Sequence, residues 1–160
     1  MGSGKSTVGR KLAKEINSYF LDTDELIETF ENKNISQIFQ TEGEEAFRAM
    51  ERRCFNWIKR CVKDTVISVG GGFAVYIPEI REAGRVVYLK VDFDEIAKRM
   101  TKEEIIKRPL FRDLKKAKEL FEKRDEVYSK LADITIYNDD LQKTVETLKD
   151  YYASIKHQHI

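Results

Sequence analysis

The chain begins with the sequence MGSGKST, from Met1 to Thr7, and this stretch predicts both the fold and the kind of ligand. Glycines in a tight turn expose consecutive backbone N–H groups, and these groups bind a polyphosphate together with the positive end of a following helix. Lys5 would reach the β- and γ-phosphates of a nucleotide, and the Ser6 hydroxyl would ligate Mg²⁺. The pattern therefore predicts a phosphate-binding loop formed by Gly2, Ser3, Gly4, Lys5, Ser6 and Thr7.

A short match of this kind can also arise by chance at a flexible terminus, so its context matters. Val8, Leu12 and Ile16 follow at helical spacing, which predicts the helix that such a loop must enter. The full pattern, G-x-x-x-x-G-K-[ST], needs a further Gly two residues before Met1 and a buried strand ahead of it. We therefore expect the natural chain to continue upstream for about ten residues, the length of a short strand and its turn.

Length and charge limit the classes of protein and partner. With 160 residues, 41% of them hydrophobic, the chain suits one domain spanning residues 1–160. A net charge of +1 gives no overall field for nucleic acid or an anionic membrane, so we expect small-molecule partners. We also expect a monomer, although no sequence pattern indicates the oligomeric state. Two cysteines are too few for a disulfide framework, and no apolar run approaches the roughly 20 residues of a membrane span. We therefore expect a cytoplasmic protein.

Helix and strand signals alternate along the chain, which predicts an α/β protein with a parallel sheet. Short apolar runs rich in β-branched and aromatic residues predict four buried strands, at Tyr19–Leu21, Val66–Val69, Val86–Lys90 and Ile134–Tyr137. Helical periodicity predicts helices at Lys5–Ile16, Asp24–Phe30, Ser36–Phe39, Glu44–Val62, Pro78–Glu82, Asp94–Met100, Leu114–Ala132 and Asp140–Ile155.

Two carboxylates, Asp22 and Asp24, lie at the carboxyl end of the first predicted strand. Open α/β sheets bind their ligands at this edge. Asp22 could hold Mg²⁺ through its water shell, and Asp24 could accept a proton from an attacking hydroxyl. The alternative interpretation is that Thr23 or Asp24 caps the next helix, and both roles can hold together.

Three consecutive glycines, Gly70, Gly71 and Gly72, follow the second predicted strand. A plain turn needs only one or two glycines, and each one adds to the backbone entropy lost on folding. Close approach of a ligand to bare backbone therefore explains the run better, with a plain turn as the alternative.

Two arginines are candidates for anion binding. Arg48 lies near the start of a predicted core helix with Glu51 one turn further on, and Arg124 lies in a helix crowded with charges. The alternative for each is a surface ion pair, which is the usual arrangement of a helical arginine. Composition alone does not decide between these interpretations.

The segment Met100–Asp113 carries Lys102, Lys107, Arg108 and Arg112 with little amphipathic order. It could be an ordinary solvated loop. In a phosphoryl-transfer enzyme, a basic segment of this kind commonly forms a lid that excludes water and brings a cation to the transferring group.

Taken together, these motifs resemble the shikimate kinase family. The resemblance rests on GSGKS at Gly2–Ser6, D-x-D at Asp22 and Asp24, F-R-x-x-E at Phe47, Arg48 and Glu51, G-G-G at Gly70–Gly72, R-P-L at Arg108–Leu110, and R-x-x-x-Y at Arg124 and Tyr128. The motifs occur in family order across Gly2–Asp133. The resemblance implies a three-layer α/β/α P-loop kinase fold with strand order 2-3-1-4-5, of which this chain lacks the first strand.

The resemblance also implies an activity, the ATP-dependent phosphorylation of the 3-hydroxyl of shikimate in aromatic amino-acid biosynthesis, with Mg²⁺ as cofactor. It implies ATP binding by the phosphate-loop residues with Arg99 and Arg108, metal binding by Ser6 and Asp22, and catalytic roles for Lys5, Asp24 and Arg108. The resemblance implies a shikimate-binding region at about 24–62 and a lid at 100–113. Shikimate would contact Asp24, Arg48, Gly70, Gly71, Gly72 and Arg124. The alternatives are another small-molecule kinase of this fold, such as gluconate kinase, or a non-catalytic nucleotide-binding relative.

Overall fold

We describe the fold from a computed structural model that defines residues 3–99 and 113–157, apart from the side chains of Ala97, Arg99 and His157. The helices are α1 (Lys5–Glu15), α2 (Thr23–Glu31), α3 (Ile35–Thr41), α4 (Gly43–Cys61), α5 (Phe73–Tyr76), α6 (Phe93–Arg99), α7 (Leu114–Leu131) and α8 (Leu141–His157). A 3₁₀ turn spans Ile80–Ala83. The strands are β1 (Tyr19–Asp22), β2 (Thr65–Ser68), β3 (Val87–Lys90) and β4 (Ile134–Tyr137).

The strands form two parallel pairs. β1 pairs with β2 so that Asp22 lies opposite Ser68, and β3 pairs with β4 so that Lys90 lies opposite Tyr137. These pairs agree with the neighbours 2-3 and 4-5 in the strand order implied by the resemblance. The predicted α/β class with parallel strands is confirmed, whereas the short helix α5 was not predicted.

A cleft of about 490 Å³ separates β2 from β3. Val66 and Val87 line its two walls, and Val8 and Leu12 of α1 also face it. The prediction that all four strands are buried is wrong, since Tyr19 is 86% exposed and Tyr137 is 59% exposed. β1 and β4 form the outer edges of their pairs, while β2 and β3 border the cleft, so none of the described strands is fully enclosed.

Apolar clusters place the helices on the strand pairs. The first cluster joins α1 and α8 to β4 through Val8, Leu12, Ile136, Val145 and Leu148. The second holds α2, α3 and α4 together through Ile27, Ile38, Phe47, Cys54 and Ile58. The third packs α4 on α5 and the 3₁₀ turn through Phe55, Phe73, Ala74, Ile77 and Ile80. The starts of α1 and α4 are thereby fixed near the carboxyl ends of the strands.

Two further findings concern the described residues only. Cys54 is buried, Cys61 is exposed, and both are free. None of the described helices combines the length and the apolar character needed to cross a membrane.

Candidate active site

The phosphate loop is held in place by a side chain from the far end of the chain. Asn138, which directly follows β4, donates from Nδ2 to the Ser3 carbonyl at 2.5 Å. Gly4 has a φ of +77°, and a Cβ there would lie 3.0 Å from the same Nδ2. Because a trans peptide is planar, fixing the Ser3 carbonyl towards Asn138 turns the N–H of Gly4 the opposite way. The loop therefore presents this N–H away from Asn138, at the start of α1.

Asp22 has two roles at the end of β1. Its Oδ1 accepts hydrogen bonds from the backbone N–H groups of Asp24, at 3.0 Å, and Glu25, at 3.4 Å, so Asp22 is the N-cap of α2. The expectation that Thr23 or Asp24 provides this cap is wrong by one or two residues. Asp22 Oδ2 accepts from the Ser6 hydroxyl at 3.0 Å. These two oxygen groups suit Mg²⁺, which prefers oxygen ligands and retains several waters.

Asp24 is partly buried beside this pair. Its Oδ1 is buried and has no hydrogen-bond partner in the part of the chain that the structure describes. Burial, and then the charge of Asp22, raise the pKa of Asp24, while Lys5 opposes the shift. A buried carboxylate oxygen without a donor is costly, and this cost disfavours the charged form of Asp24, in agreement with its raised pKa.

The glycine segment makes room for functional groups of the chain itself. A Cβ at Gly70 would lie 2.6 Å from Asp24 Oδ1, and a Cβ at Gly72 would lie 2.5 Å from Arg48 Nη1. The Gly70 N–H also donates to the Thr23 hydroxyl at 3.3 Å. Contacts within the chain therefore explain why glycine stands at these two positions, in addition to the predicted approach of a ligand.

Arg48 has carboxylates on both sides of its guanidinium. Nη1 donates to Glu51 at 2.6 Å, while Nη2 and Nε donate to Glu44 Oε1 at 3.0 and 3.2 Å. The guanidinium carbon lies 4.0 Å from the centre of the Tyr76 ring. The Arg48 side chain is 18% exposed and that of Glu51 is 1% exposed. This arrangement is therefore a largely buried cluster rather than a surface ion pair.

Arg124 approaches the same cluster from α7. Hydrogen bonds from Arg48 and Tyr76 lower the pKa of Glu44, and the nearby charge of Arg124 lowers it further. Both predicted arginines thus lower the pKa of Glu44, Arg48 through hydrogen bonds and Arg124 through its nearby charge.

Two tyrosines fix α7 relative to the glycine segment. Tyr128 donates its hydroxyl hydrogen to the Gly71 carbonyl, and its ring lies 5.2 Å from that of Tyr88 in an edge-on arrangement. Tyr88 in turn donates to Asp125 at 2.7 Å, and Lys90 donates to the other oxygen of Asp125 at 2.9 Å. The helix that carries Arg124 is thus bonded both to β3 and to the glycines.

Several predicted features are not tested. Gly2, Arg108 and most of the lid segment 100–113 lie outside the described residues. Arg99 ends α6, but its side chain is not described either.

Comparison with protein families matches residues 1–155 to the family described as shikimate kinase. The chain belongs to the shikimate kinase family. A shikimate kinase from Helicobacter hepaticus is 40% identical over 139 residues, which cover 87% of this chain and 83% of the relative. One from Clostridium botulinum, strain Kyoto, is 41% identical over 157 residues, which cover 93% of this chain and 92% of the relative.

Solved structures of the shikimate kinase family share the fold. The enzyme from Acinetobacter baumannii, solved in complex with shikimate, has a TM-score of 0.86 and 31% identity, and the match covers 98% of this chain and 90% of that one. The enzyme from Aquifex aeolicus has a TM-score of 0.79 and 32% identity, with 100% of this chain and 94% of that one covered. The predicted family and P-loop kinase fold are confirmed, and shikimate phosphorylation is the activity of this family.

Sequence reasoning missed two residues, Asn138 and Glu44, and one contact, that of Thr23 with Gly70. Asn138 directly follows a strand, and this position at the ligand-binding edge of a sheet could have revealed it. Glu44 is four residues before Arg48 in one helix, a spacing at which opposite charges commonly pair. For the contact of Thr23 with Gly70, no local signal exists, because it depends on how β1 and β2 align.

Proposed function

We propose that this chain transfers the γ-phosphoryl group of ATP to the 3-hydroxyl of shikimate. One observation carries the proposal: the half-buried carboxylate of Asp24, whose Oδ1 has no hydrogen-bond partner among the described residues, follows β1 two residues after Asp22, which accepts a hydrogen bond from Ser6 of the phosphate loop. A substrate hydroxyl would donate a hydrogen bond to this carboxylate and lose its proton to it as the oxygen attacks phosphorus. Burial and a raised pKa make Asp24 a stronger base than an exposed aspartate.

The phosphate side of the reaction depends on α1 and its loop. The loop amides and Lys5 would hold the triphosphate, since backbone N–H groups and the helix N-terminus both favour anions. Ser6 and Asp22 would hold Mg²⁺, and the bound ion would neutralise charge that develops on the phosphates. Catalysis would then consist mainly of positioning and charge stabilisation.

The acceptor side depends on Arg48, Arg124 and the glycines. A planar guanidinium can bind a carboxylate through two parallel hydrogen bonds, so two arginines would fix the shikimate carboxylate and hence the orientation of the ring. The backbone of Gly70–Gly72 would contact the ring, and Arg108 would supply a further positive charge from the lid at 100–113. Arg99 would pack near the adenine.

We also propose that the protein works in the cytoplasm as a monomer on free small molecules. The buried thiol of Cys54, whose pKa burial raises to about 11, is unreactive, and Cys61 is an unpaired thiol at the surface. Unpaired thiols persist in a reducing compartment.

The direct test is a coupled assay of ADP release with shikimate, gluconate and no acceptor in parallel. We expect turnover that depends on shikimate, with the product identified as the 3-phosphate by phosphorus NMR. Turnover with gluconate but not shikimate would assign a different kinase activity. ATP binding without turnover on any hydroxy acid would identify a non-catalytic relative.

A further inference from the structure

The guanidinium of Arg48 is already occupied by a carboxylate of the chain itself. Both Nε and Nη2 point to Glu44 Oε1, at 3.2 and 3.0 Å, which uses the edge that would bind a ligand carboxylate. The Tyr76 hydroxyl donates to the same oxygen at 3.1 Å. Arg124 is near enough to lower the pKa of Glu44 beyond the effect of Arg48 and Tyr76. One internal carboxylate therefore lies where the proposed clamp is formed.

The two acidic partners of Arg48 differ in their freedom to leave. The Glu51 side chain is 1% exposed and bonds to Nη1, so it is enclosed by the core of α4. The Glu44 side chain is 54% exposed and belongs to the first turn of α4. It can therefore rotate into solvent without moving the helix, whereas Glu51 cannot.

We propose that Glu44 is a displaceable stand-in for the substrate carboxylate and thereby sets the affinity of the site. This inference rests on the proposed function, in which Arg48 and Arg124 bind the carboxylate of shikimate. When shikimate arrives, its carboxylate replaces Glu44 on Nε and Nη2 and also reaches Arg124. Glu51 stays on Nη1 and keeps the guanidinium in place throughout.

The exchange has a thermodynamic consequence. A site that must first release its own carboxylate has a lower apparent affinity. This apparent affinity equals the intrinsic affinity multiplied by the fraction of molecules in which the clamp is free. The factor is the same for every carboxylate that needs the clamp, so small anions, which lack the ring contacts and bind weakly to begin with, are left with the lowest occupancy. Removal of the Glu44 charge should therefore tighten shikimate binding, a change opposite to that expected when a structural contact is lost.

The test is titration calorimetry of the full chain with shikimate and with its methyl ester, which lacks the negative charge. We expect Glu44→Gln to tighten shikimate binding about two- to fivefold, the range for a partly exposed ion pair, and to leave the ester unaffected. Glu45→Gln is the matched control, because Glu45 is the exposed neighbour in the same first turn and its change alters the helix charge equally. We expect this control to bind both compounds like the wild type.

Tyr76→Phe provides a second variant in case Glu44→Gln folds poorly. It keeps the ring on Arg48 but removes the hydrogen bond that holds Glu44, so we expect a smaller tightening in the same direction. Unchanged or weaker shikimate binding in the folded variants would overturn the proposal.

Arg48→Lys separates this outcome from failure of the proposed function. If Arg48→Lys weakens shikimate binding while Glu44→Gln does not tighten it, only the role of Glu44 is wrong. If Arg48→Lys binds shikimate normally, the clamp itself is wrong.

Discussion

The guanidinium of Arg48 occupies the space that a side chain at Gly72 would need. A Cβ at Gly72 would lie 2.5 Å from Nη1, a separation that real Cβ atoms do not tolerate. The clashing atoms are the end of a long side chain, so the arginine can yield more easily than the backbone. A larger residue at 72 would therefore displace a binding group while leaving the fold largely intact.

We predict that Gly72→Ala weakens shikimate binding about tenfold and leaves ATP affinity unchanged, which a pair of calorimetric titrations would measure. Gly70→Ala is the matched comparison, because its Cβ would displace Asp24 instead. That variant should lose turnover more than shikimate affinity. If both variants lose turnover and shikimate affinity to the same extent, the segment acts only as a turn.

Asp24→Asn should lower turnover by about two to four orders of magnitude, the usual scale for the loss of a general base. Amide and carboxylate have nearly the same shape, so ATP binding should be preserved. Single-turnover kinetics with saturating ATP measures the chemical step. Near-normal turnover would mean that Asp24 only anchors a hydroxyl.

The same substitution should stabilise the protein near neutral pH. Burial, and then the charge of Asp22, raise the pKa of Asp24 in the folded state above its ordinary value of 3.8. As pH rises, the unfolded chain therefore loses this proton first, and the free energy of unfolding falls between pH 3.8 and the folded pKa. Asp24→Asn removes the penalty, so its thermal midpoint should exceed that of the wild type near pH 7. The difference should vanish below pH 3.8, and a constant difference at every pH would contradict this explanation.

Arg48→Lys keeps the positive charge but loses the planar pair of donors. We expect weaker shikimate binding with ATP affinity little altered, as measured by titration of each ligand. Arg52→Lys is the control, because Arg52 lies on the same helix and bonds to Glu79 and to the Tyr76 carbonyl at 2.9 Å. Equal losses for both ligands would indicate a folding defect rather than a lost clamp.

Asn138→Ala should weaken ATP binding by loosening the phosphate loop. The Ser3 carbonyl would lose its hydrogen bond, which contributes about 1 kcal/mol, so we expect a loss in ATP affinity of roughly fivefold. Shikimate binding in the absence of nucleotide should not change. Asn56→Ala, at an exposed position of α4, is the control. Unaltered ATP affinity in Asn138→Ala would show that the loop holds its shape without this contact.

Local patterns were enough to predict most of the described elements, whereas the roles of the candidate site residues stay predictions. Periodicity placed α4, and an apolar run rich in β-branched residues placed β4, to within one residue. The burial of the strands was misjudged because an apolar sequence does not reveal which neighbour covers it. The contacts of Gly72 with Arg48 and of Asn138 with Ser3 join distant parts of the chain, so no spacing in the sequence encodes them.

The position of α1 has a mechanical consequence. Val8 and Leu12 of this helix belong to the apolar cluster against which Val66 of β2 and Val87 of β3 pack, so one face of the helix contacts both strand pairs. A displacement of α1 would therefore press on β2 and β3 at the same time. The helix that would bind the nucleotide phosphates is thus the element through which a change at the phosphate loop would reach both pairs.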